Sequence, residues 1–66
     1  MSVRDVKGEV LGLLKKVYPD SLTIKEIAQM LGVSRTTTSK YVAVLEGEGK
    51  VICRRVSRAM LCRARV

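Results

Sequence analysis

Apolar residues recur every three or four positions through the first part of the chain. This helical spacing predicts an amphipathic helix over residues 3–17, with Ser2 as its N-cap and Pro19 ending it. The apolar positions on one side of that helix are Val3, Val6, Val10, Leu11, Leu13, Leu14 and Val17. The stripe is broad for one small core, so part of it is a candidate dimer face, although apolar surface residues are also common without a partner.

Two further helices follow, separated by a tight glycine turn. Thr23 and Glu26 form a capping-box pattern that predicts a helix start, after a very short strand at residues 21–23. Gly32 is placed to end this helix, and Ser34 to cap the next one only two residues later. The apolar positions of the two helices are Ile24, Ile27, Ala28 and Leu31 in the first, and Tyr41, Val42 and Leu45 in the second, which we expect to end around residues 47–49.

The pattern then changes from helical to strand-like. Residues 51–53 and 60–62 are short apolar runs separated by polar and basic residues, which predicts an antiparallel hairpin covering the helices. The sequence therefore predicts a single α+β domain over residues 1–66, with three helices and a C-terminal hairpin. The expected order is helix, short strand, helix, helix, strand, strand.

Charge is distributed unevenly between the two halves of this domain. Residues 1–33 carry five basic and four acidic residues, a net charge of +1, whereas residues 34–66 carry eight basic and two acidic residues, a net of +6. No acid follows Glu48. Clustered positive charge indicates a polyanionic partner, and nucleic acid is favoured over an anionic membrane surface.

Other functional classes are disfavoured. The chain has no histidine and is too short for a deep cleft, so we expect neither an enzyme nor a small-molecule or cofactor site. Charged residues interrupt the apolar positions near the N-terminus, which argues against a signal peptide or a membrane span. The sequence is therefore expected to belong to a cytoplasmic protein.

The residues from Thr23 to Arg35, TIKEIAQMLGVSR, carry a family resemblance. They resemble the winged helix-turn-helix transcription regulators of bacteria and archaea, most of all the compact archaeal type, in which LGVSR opens the recognition helix and LEGEGKV leads into the wing. The resemblance covers residues 22–64. One position departs from it, because Thr38 stands where the family usually has Val or Ile. We expect Thr38 to bury its methyl group and to return its hydroxyl to a backbone carbonyl.

The resemblance implies that the helix over residues 34–47 enters the major groove of DNA and that the basic wing follows the phosphate backbone or the minor groove. If Thr38 faces the core, then Thr36, Lys40 and Ala43 face away from it. The predicted recognition residues are Ser34, Arg35, Thr36, Thr37, Ser39 and Lys40, and the predicted wing residues are Arg54, Arg55 and Arg58, with Arg55 and Arg58 foremost. The alternative interpretations are a solvated helix face and a charged strand edge.

Two cysteines lie on the predicted hairpin. An even-numbered loop centred between Ser57 and Arg58 makes Cys53 oppose Cys62, whereas a three-residue loop at 57–59 puts them on opposite faces. Cytoplasmic disulfides are rare outside hyperthermophiles, so two unbridged, half-buried cysteines are the expectation and a disulfide is the alternative. Two cysteines without histidine make a zinc site unfavourable.

The leading prediction is a sequence-specific, double-stranded DNA-binding transcription regulator acting as a homodimer, although a monomer remains open. Many family members dimerise through a further C-terminal helix, so a dimer of this chain is expected to use the first helix or the hairpin. A winged-helix protein-interaction module and a non-specific nucleic-acid binder are the alternatives.

Overall fold

Three helices pack against one face of a small antiparallel sheet in the computed structural model, which describes residues 4–65. The sheet has the strand order β1-β3-β2, so β3 lies in the middle and β2 at an edge. The predicted α+β order of elements is confirmed. The elements are α1 (Val6–Val17), β1 (Leu22–Thr23), α2 (Ile24–Leu31), α3 (Arg35–Gly47), β2 (Val51–Val56) and β3 (Ala59–Ala64).

Helix α1 begins later than the sequence pattern predicts. Asp5 is its N-cap, and the Asp5 carboxylate accepts a hydrogen bond of 3.0 Å from the backbone N–H of Gly8. A carboxylate satisfies a free N–H group there and also interacts favourably with the helix dipole. Ser2 and Val3, the predicted cap and first helical residue, lie outside the described residues. The helix ends at Val17, ahead of the proline turn, as predicted.

The helix-turn-helix forms as its capping residues predict. The Thr23 hydroxyl accepts from the N–H of Glu26 at 3.1 Å, and the Glu26 carboxylate accepts from the N–H of Thr23 at 2.9 Å. Gly32 ends α2 with φ of 69°, a left-handed conformation that glycine adopts without steric cost. The N–H of Val33 then donates to the Ala28 carbonyl, which fixes the angle at which α3 leaves the turn.

Helix α3 is anchored through its inner face. Thr38, Val42 and Leu45 are buried there, whereas Tyr41, predicted to join them, is only half-buried. The Thr38 hydroxyl donates to the Ser34 carbonyl at 3.0 Å, so the departure from the family pattern is accommodated as expected. The apolar core that these residues complete consists of Val10, Leu14, Ile27, Ala28, Val42, Leu45, Val51, Cys62 and Ala64.

The hairpin has the even-numbered register. Val56 opposes Ala59 across a two-residue turn, in which Ser57 has φ of 57°. Cys53 therefore lies directly opposite Cys62, with their Cα atoms 4.1 Å apart, and the two form a disulfide. The expectation of two unbridged cysteines is wrong. The turn brings both sulfur atoms to the helix-facing side of neighbouring strands, and Cys62 is fully buried in the core.

Surface ion pairs tie the helices to their neighbours. The Lys7 ammonium lies 2.6 Å from the carboxylate of Glu48, which caps the end of α3, and Lys50 lies 3.6 Å from the same carboxylate. The hydrogen bond from Lys7 lowers the pKa of Glu48, with smaller contributions from both lysine charges. Arg4 likewise pairs with Glu9 at 2.8 Å and lowers the pKa of Glu9.

Candidate nucleic-acid interface

An open groove of about 820 Å³ runs between α3 and the tip of the hairpin. Three segments of the chain meet in it: the start of α2, the outer face of α3, and the turn that leads into β3. We call it the recognition groove. Its lining residues are Thr23, Ile24, Lys25, Arg35, Thr36, Ser39, Lys40, Ala43, Arg58, Ala59 and Met60.

The α3 wall of this groove follows from how α3 is buried. With Thr38 and its inner neighbours facing the core, helical geometry turns the positions between them outward. Thr36, Lys40 and Ala43 line the groove as predicted, and Arg35 and Ser39 lie beside them. All five are exposed. The helix therefore presents two cations and two hydroxyls to the same space.

Two other predicted recognition residues, Ser34 and Thr37, form the N-terminal cap of α3. The Ser34 hydroxyl accepts from the backbone N–H of Thr37 at 3.1 Å and donates to the Thr37 hydroxyl at 2.9 Å. Neither residue lines the recognition groove. Their hydroxyls hold the first turn of α3 together, and thereby position the neighbouring Arg35 and Thr36.

Strand alternation divides the wing arginines. Arg58 lies in the hairpin turn and lines the recognition groove. Arg55 opposes Met60, another groove residue, so it lies on the same side of the hairpin as the groove. Arg54 opposes Leu61 on the other side. The structure thus brings two of the three predicted wing residues to the groove side and separates the third from them.

Unpaired positive charge dominates the recognition groove. Four of its lining residues are cations, and no acidic residue lines it. Among residues 4–65, none of the four forms an ion pair. The cations are Lys25, Arg35, Lys40 and Arg58. Their charge is therefore available to an anion that enters from solvent.

Sequence reasoning missed two parts of this groove. The start of α2 contributes Thr23, Ile24 and Lys25, and β3 contributes Met60. The capping box located the start of α2, but no local signal indicates which surface that helix end joins. The sequence predicts Met60 within a strand, but only the register of the hairpin shows that it lies on the groove side.

Neither a metal-ligand cluster nor a membrane-spanning helix is evident in the described part of the chain. Between residues 4 and 65, no three potential metal-ligating side chains cluster together. Over the same range, no helix combines the length and the apolar character needed to cross a bilayer.

Three helices, a glycine turn between the second and third, and a hairpin beside the third define the winged helix-turn-helix class of fold. The family model described as "HTH domain" matches residues 9–58, which is most of the chain. The protein therefore belongs to the HTH domain family. No curated protein gives a significant sequence match.

Solved structures of longer proteins share this fold. Reduced HlyU from Vibrio cholerae aligns with a TM-score of 0.81 and 19% identity, covering 96% of this chain and 63% of HlyU. MepR, a transcription regulator of the Staphylococcus aureus multidrug efflux pump MepA, aligns at 0.84 and 23%, covering 98% and 49%. The zinc-responsive MarR family member ZitR of Lactococcus lactis aligns at 0.79 and 18%, covering 98% and 45%. The chain spans about half to two thirds of these proteins.

Proposed function

We propose that the protein is a sequence-specific, double-stranded DNA-binding transcription regulator. The observation that carries this proposal is the recognition groove, where the hydroxyls of α3 share the lining with four cations that form no ion pair within residues 4–65. Membership of the HTH domain family supports it, as does a fold shared with MepR, which is described as a transcription regulator. No catalytic step is part of the proposed function.

Residues of α3 would read the bases. A single helix fits the major groove, and the outward residues of α3 near its N-terminus would face the base edges. Arg35 can donate two parallel hydrogen bonds to a guanine, while the hydroxyls of Thr36 and Ser39 can contact bases or phosphates. Lys25, at the start of α2, also lines the groove and would contact the phosphate backbone.

The wing would supply affinity that depends little on sequence. Arg58 and Arg55 lie on the groove side of the hairpin, where guanidinium groups can neutralise phosphates along the backbone or in the minor groove. Arg54 lies on the opposite side, and the proposed interface does not include it. The proposal therefore assigns sequence discrimination to α3 and most of the salt-dependent attraction to the wing.

Three finer points belong to the same proposal. We expect a homodimer that reads a palindromic site, because paired recognition helices about 34 Å apart match one turn of DNA. The stretches LGVSR and LEGEGKV support placing the chain with the compact archaeal type of winged helix-turn-helix regulator. A DNA-binding regulator without a membrane partner would act in the cytoplasm.

Selection of binding sites from a random duplex pool tests the proposal directly. The wild-type protein should enrich one motif, and a palindromic motif would also indicate a dimer. Arg35→Ala should lose enrichment at one position of that motif, whereas Lys16→Ala, which removes an exposed cation of α1 that does not line the groove, should not. Failure to enrich any motif would contradict sequence-specific regulation.

The net charge of +6 in residues 34–66 also favours a second candidate, a non-specific nucleic-acid binder. Affinity for a selected duplex and for a scrambled one, measured at several salt concentrations, separates the two functions. A sequence-specific regulator retains a preference for the selected duplex as salt increases. Equal affinity for both duplexes at every salt concentration would favour the non-specific binder.

A further inference from the structure

The face of the sheet that points away from the helices is a second, separate surface. We call it the outer sheet face. It is formed by alternate residues of the two long strands, and the turn before β1 borders it. Near its centre lies a shallow groove of about 310 Å³, lined by Pro19, Ser21, Ile52, Arg54, Leu61 and Arg63.

Cationic and apolar side chains form a checkerboard on this surface. Ile52 opposes Arg63, and Arg54 opposes Leu61, so the two arginines occupy one diagonal and the two apolar residues the other. Neither arginine forms an ion pair with any residue between 4 and 65. Ile52 is 40% exposed, and Val56, which lies beyond Arg54 on the same strand, is 45% exposed. The surface thus combines unpaired charge with exposed apolar area.

We propose that the outer sheet face docks an extended, acidic segment of a partner protein. Diagonal neighbours on adjacent strands have side chains about 7–8 Å apart. Alternate side chains of an extended peptide point to the same side and are about 6.6 Å apart. Two carboxylates separated by one residue can therefore reach Arg54 and Arg63 together, each forming a bidentate, charge-assisted pair. Flanking apolar side chains of the same segment would cover Ile52 and Leu61.

The same pattern disfavours two other occupants. A second copy packed face to face about a two-fold axis would bring four arginines together without a counter-charge. Single-stranded nucleic acid binds protein surfaces by stacking its bases on aromatic rings, and none of the six residues lining this groove is aromatic. A duplex offers phosphates for the arginines but leaves Ile52 and Leu61 facing a charged backbone. An acidic peptide with apolar neighbours matches both halves of the pattern.

The location of the outer sheet face would allow both partners to bind at once. The recognition groove opens on the helix-facing side of the hairpin, whereas Arg54 and Arg63 lie on the other side. A protein segment docked there would leave the recognition groove free. This inference does not depend on DNA binding, and it would stand if the proposed regulator function failed.

Titration of the ¹⁵N-labelled protein with the peptide Leu-Ser-Asp-Ser-Asp-Ser-Leu tests the inference, with amide chemical shifts as the readout. In the extended state of this Asp-Leu peptide, both Asp and both Leu side chains point to the same side. The expected result is a set of shifts confined to residues such as Ser21, Ile52, Arg54, Leu61 and Arg63. A matched peptide with Asn in place of both Asp residues should bind far more weakly, because it lacks the carboxylates. Shifts confined to the recognition groove, or no shifts at all, would overturn the proposal.

Charge reversal provides the second measurement. Arg54→Glu with Arg63→Glu should weaken binding of the Asp-Leu peptide by about tenfold or more and should create binding of a Lys-Leu peptide. Lys15→Glu with Lys16→Glu makes the same change in net charge on exposed positions of α1 and should leave binding unchanged. Equal losses of peptide affinity in both double variants would show that net charge alone causes the effect, and would overturn the proposal.

Duplex binding and self-association by the Arg54/Arg63 variant complete the test. We expect self-association to match wild type, and duplex affinity to fall no further than in the Lys15/Lys16 variant, which has the same net charge. If the variant lost duplex affinity as strongly as Arg58→Glu does, the outer sheet face would be part of the DNA interface and the proposal would be wrong. If it dissociated a dimer that wild type forms, the occupant would be a second copy and the proposal would again be wrong.

Discussion

Helix α3 and the β2–β3 hairpin form the two walls of one groove, but different forces hold them in place. The inner face of α3 consists of the buried residues Thr38, Val42 and Leu45. Because this face packs against the other helices, the remaining residues of α3 are fixed in their outward direction. The hairpin is packed only at its base, where Val51 and Cys62 are buried. Between the disulfide and the turn, most residues are exposed, and the chain is held by strand pairing and by one covalent bond.

This difference suits the two proposed tasks. Reading bases requires side chains held within a fraction of an ångström, and a helix with one face locked in the core provides that rigidity. Contacting phosphates is less demanding, because charge acts over several ångströms and tolerates small displacements. The packed wall would therefore discriminate among sequences, and the extended wall would add affinity.

The largest expected effect is on the packed wall. Leu45→Ala removes a side chain that is 1% exposed and should lower the free energy of unfolding by about 2–5 kcal/mol, through lost burial and the cavity left behind. Val44→Ala, at the neighbouring position that is 41% exposed, should change it by about 0.5 kcal/mol or less. Urea unfolding followed by circular dichroism measures both. Similar losses in the two variants would contradict the assignment of the buried face.

The covalent bond of the hairpin should have the next largest effect. The disulfide closes a loop from Cys53 to Cys62, which restricts the unfolded chain and should stabilise the fold by about 2–3 kcal/mol. Unfolding of the oxidised and reduced protein measures this difference. The variant with Cys53→Ala and Cys62→Ala is the control, since reductant should not alter its stability. Two titratable thiols in the non-reduced protein would show that the bond does not form.

Alanine substitutions on the two walls should separate the recognition of bases from the electrostatic attraction to phosphates. Arg35→Ala should cost about 1–3 kcal/mol against a selected duplex and relax specificity at one base position. Arg58→Ala should weaken binding to every duplex alike and reduce the salt dependence by about one phosphate contact. Fluorescence anisotropy at several salt concentrations checks both. Uniform weakening by Arg35→Ala would mean that α3 does not read bases.

A smaller effect is expected where α3 departs from its family. Thr38→Val replaces a fully buried hydroxyl with a methyl group and should raise the free energy of unfolding by roughly 0.5–1 kcal/mol. The Ser34 carbonyl keeps its bond of 3.0 Å from the Thr38 backbone N–H, so no polar group loses its only partner. Thr36→Val, on the exposed side of the same helix, should show no comparable gain. A loss of stability in Thr38→Val would mean that the hydroxyl bond outweighs the added apolar burial.

The smallest effect concerns the junction between the walls, where Glu48 follows α3 and pairs with Lys7 and Lys50. The folded protein lowers the pKa of Glu48 below its ordinary value of 4.5. The pairing therefore stabilises the fold at pH values above 4.5, and this stabilisation is lost as the pH falls through the lowered pKa. Glu48→Gln should flatten the acid side of the dependence of Tm on pH. Glu46→Gln removes an acid without an ion pair in the described residues and should leave that slope unchanged.

Local chemistry made the helix-turn-helix predictable. Capping depends on residues three or four positions apart, so Thr23, Glu26, Gly32 and Ser34 placed the ends of α2 and the start of α3 without reference to the rest of the molecule. The position of Thr38 on the buried face came from the family resemblance, and the outward direction of its neighbours then followed from the helical period. At the start of α1 the local pattern predicted Ser2 as the cap, whereas the N-cap in the structure is Asp5.

The sequence by itself determined the three helices, the hairpin, and the concentration of positive charge in the second half, because each depends on local spacing or on composition. Tertiary structure decided what those elements bring together. A two-residue turn set the register that bridges Cys53 to Cys62 and separates Arg54 from Arg55. Packing brought Lys25 into the same groove as Arg58. A shift of one residue in a strand reverses every side chain, and the sequence was compatible with both an even-numbered and a three-residue loop.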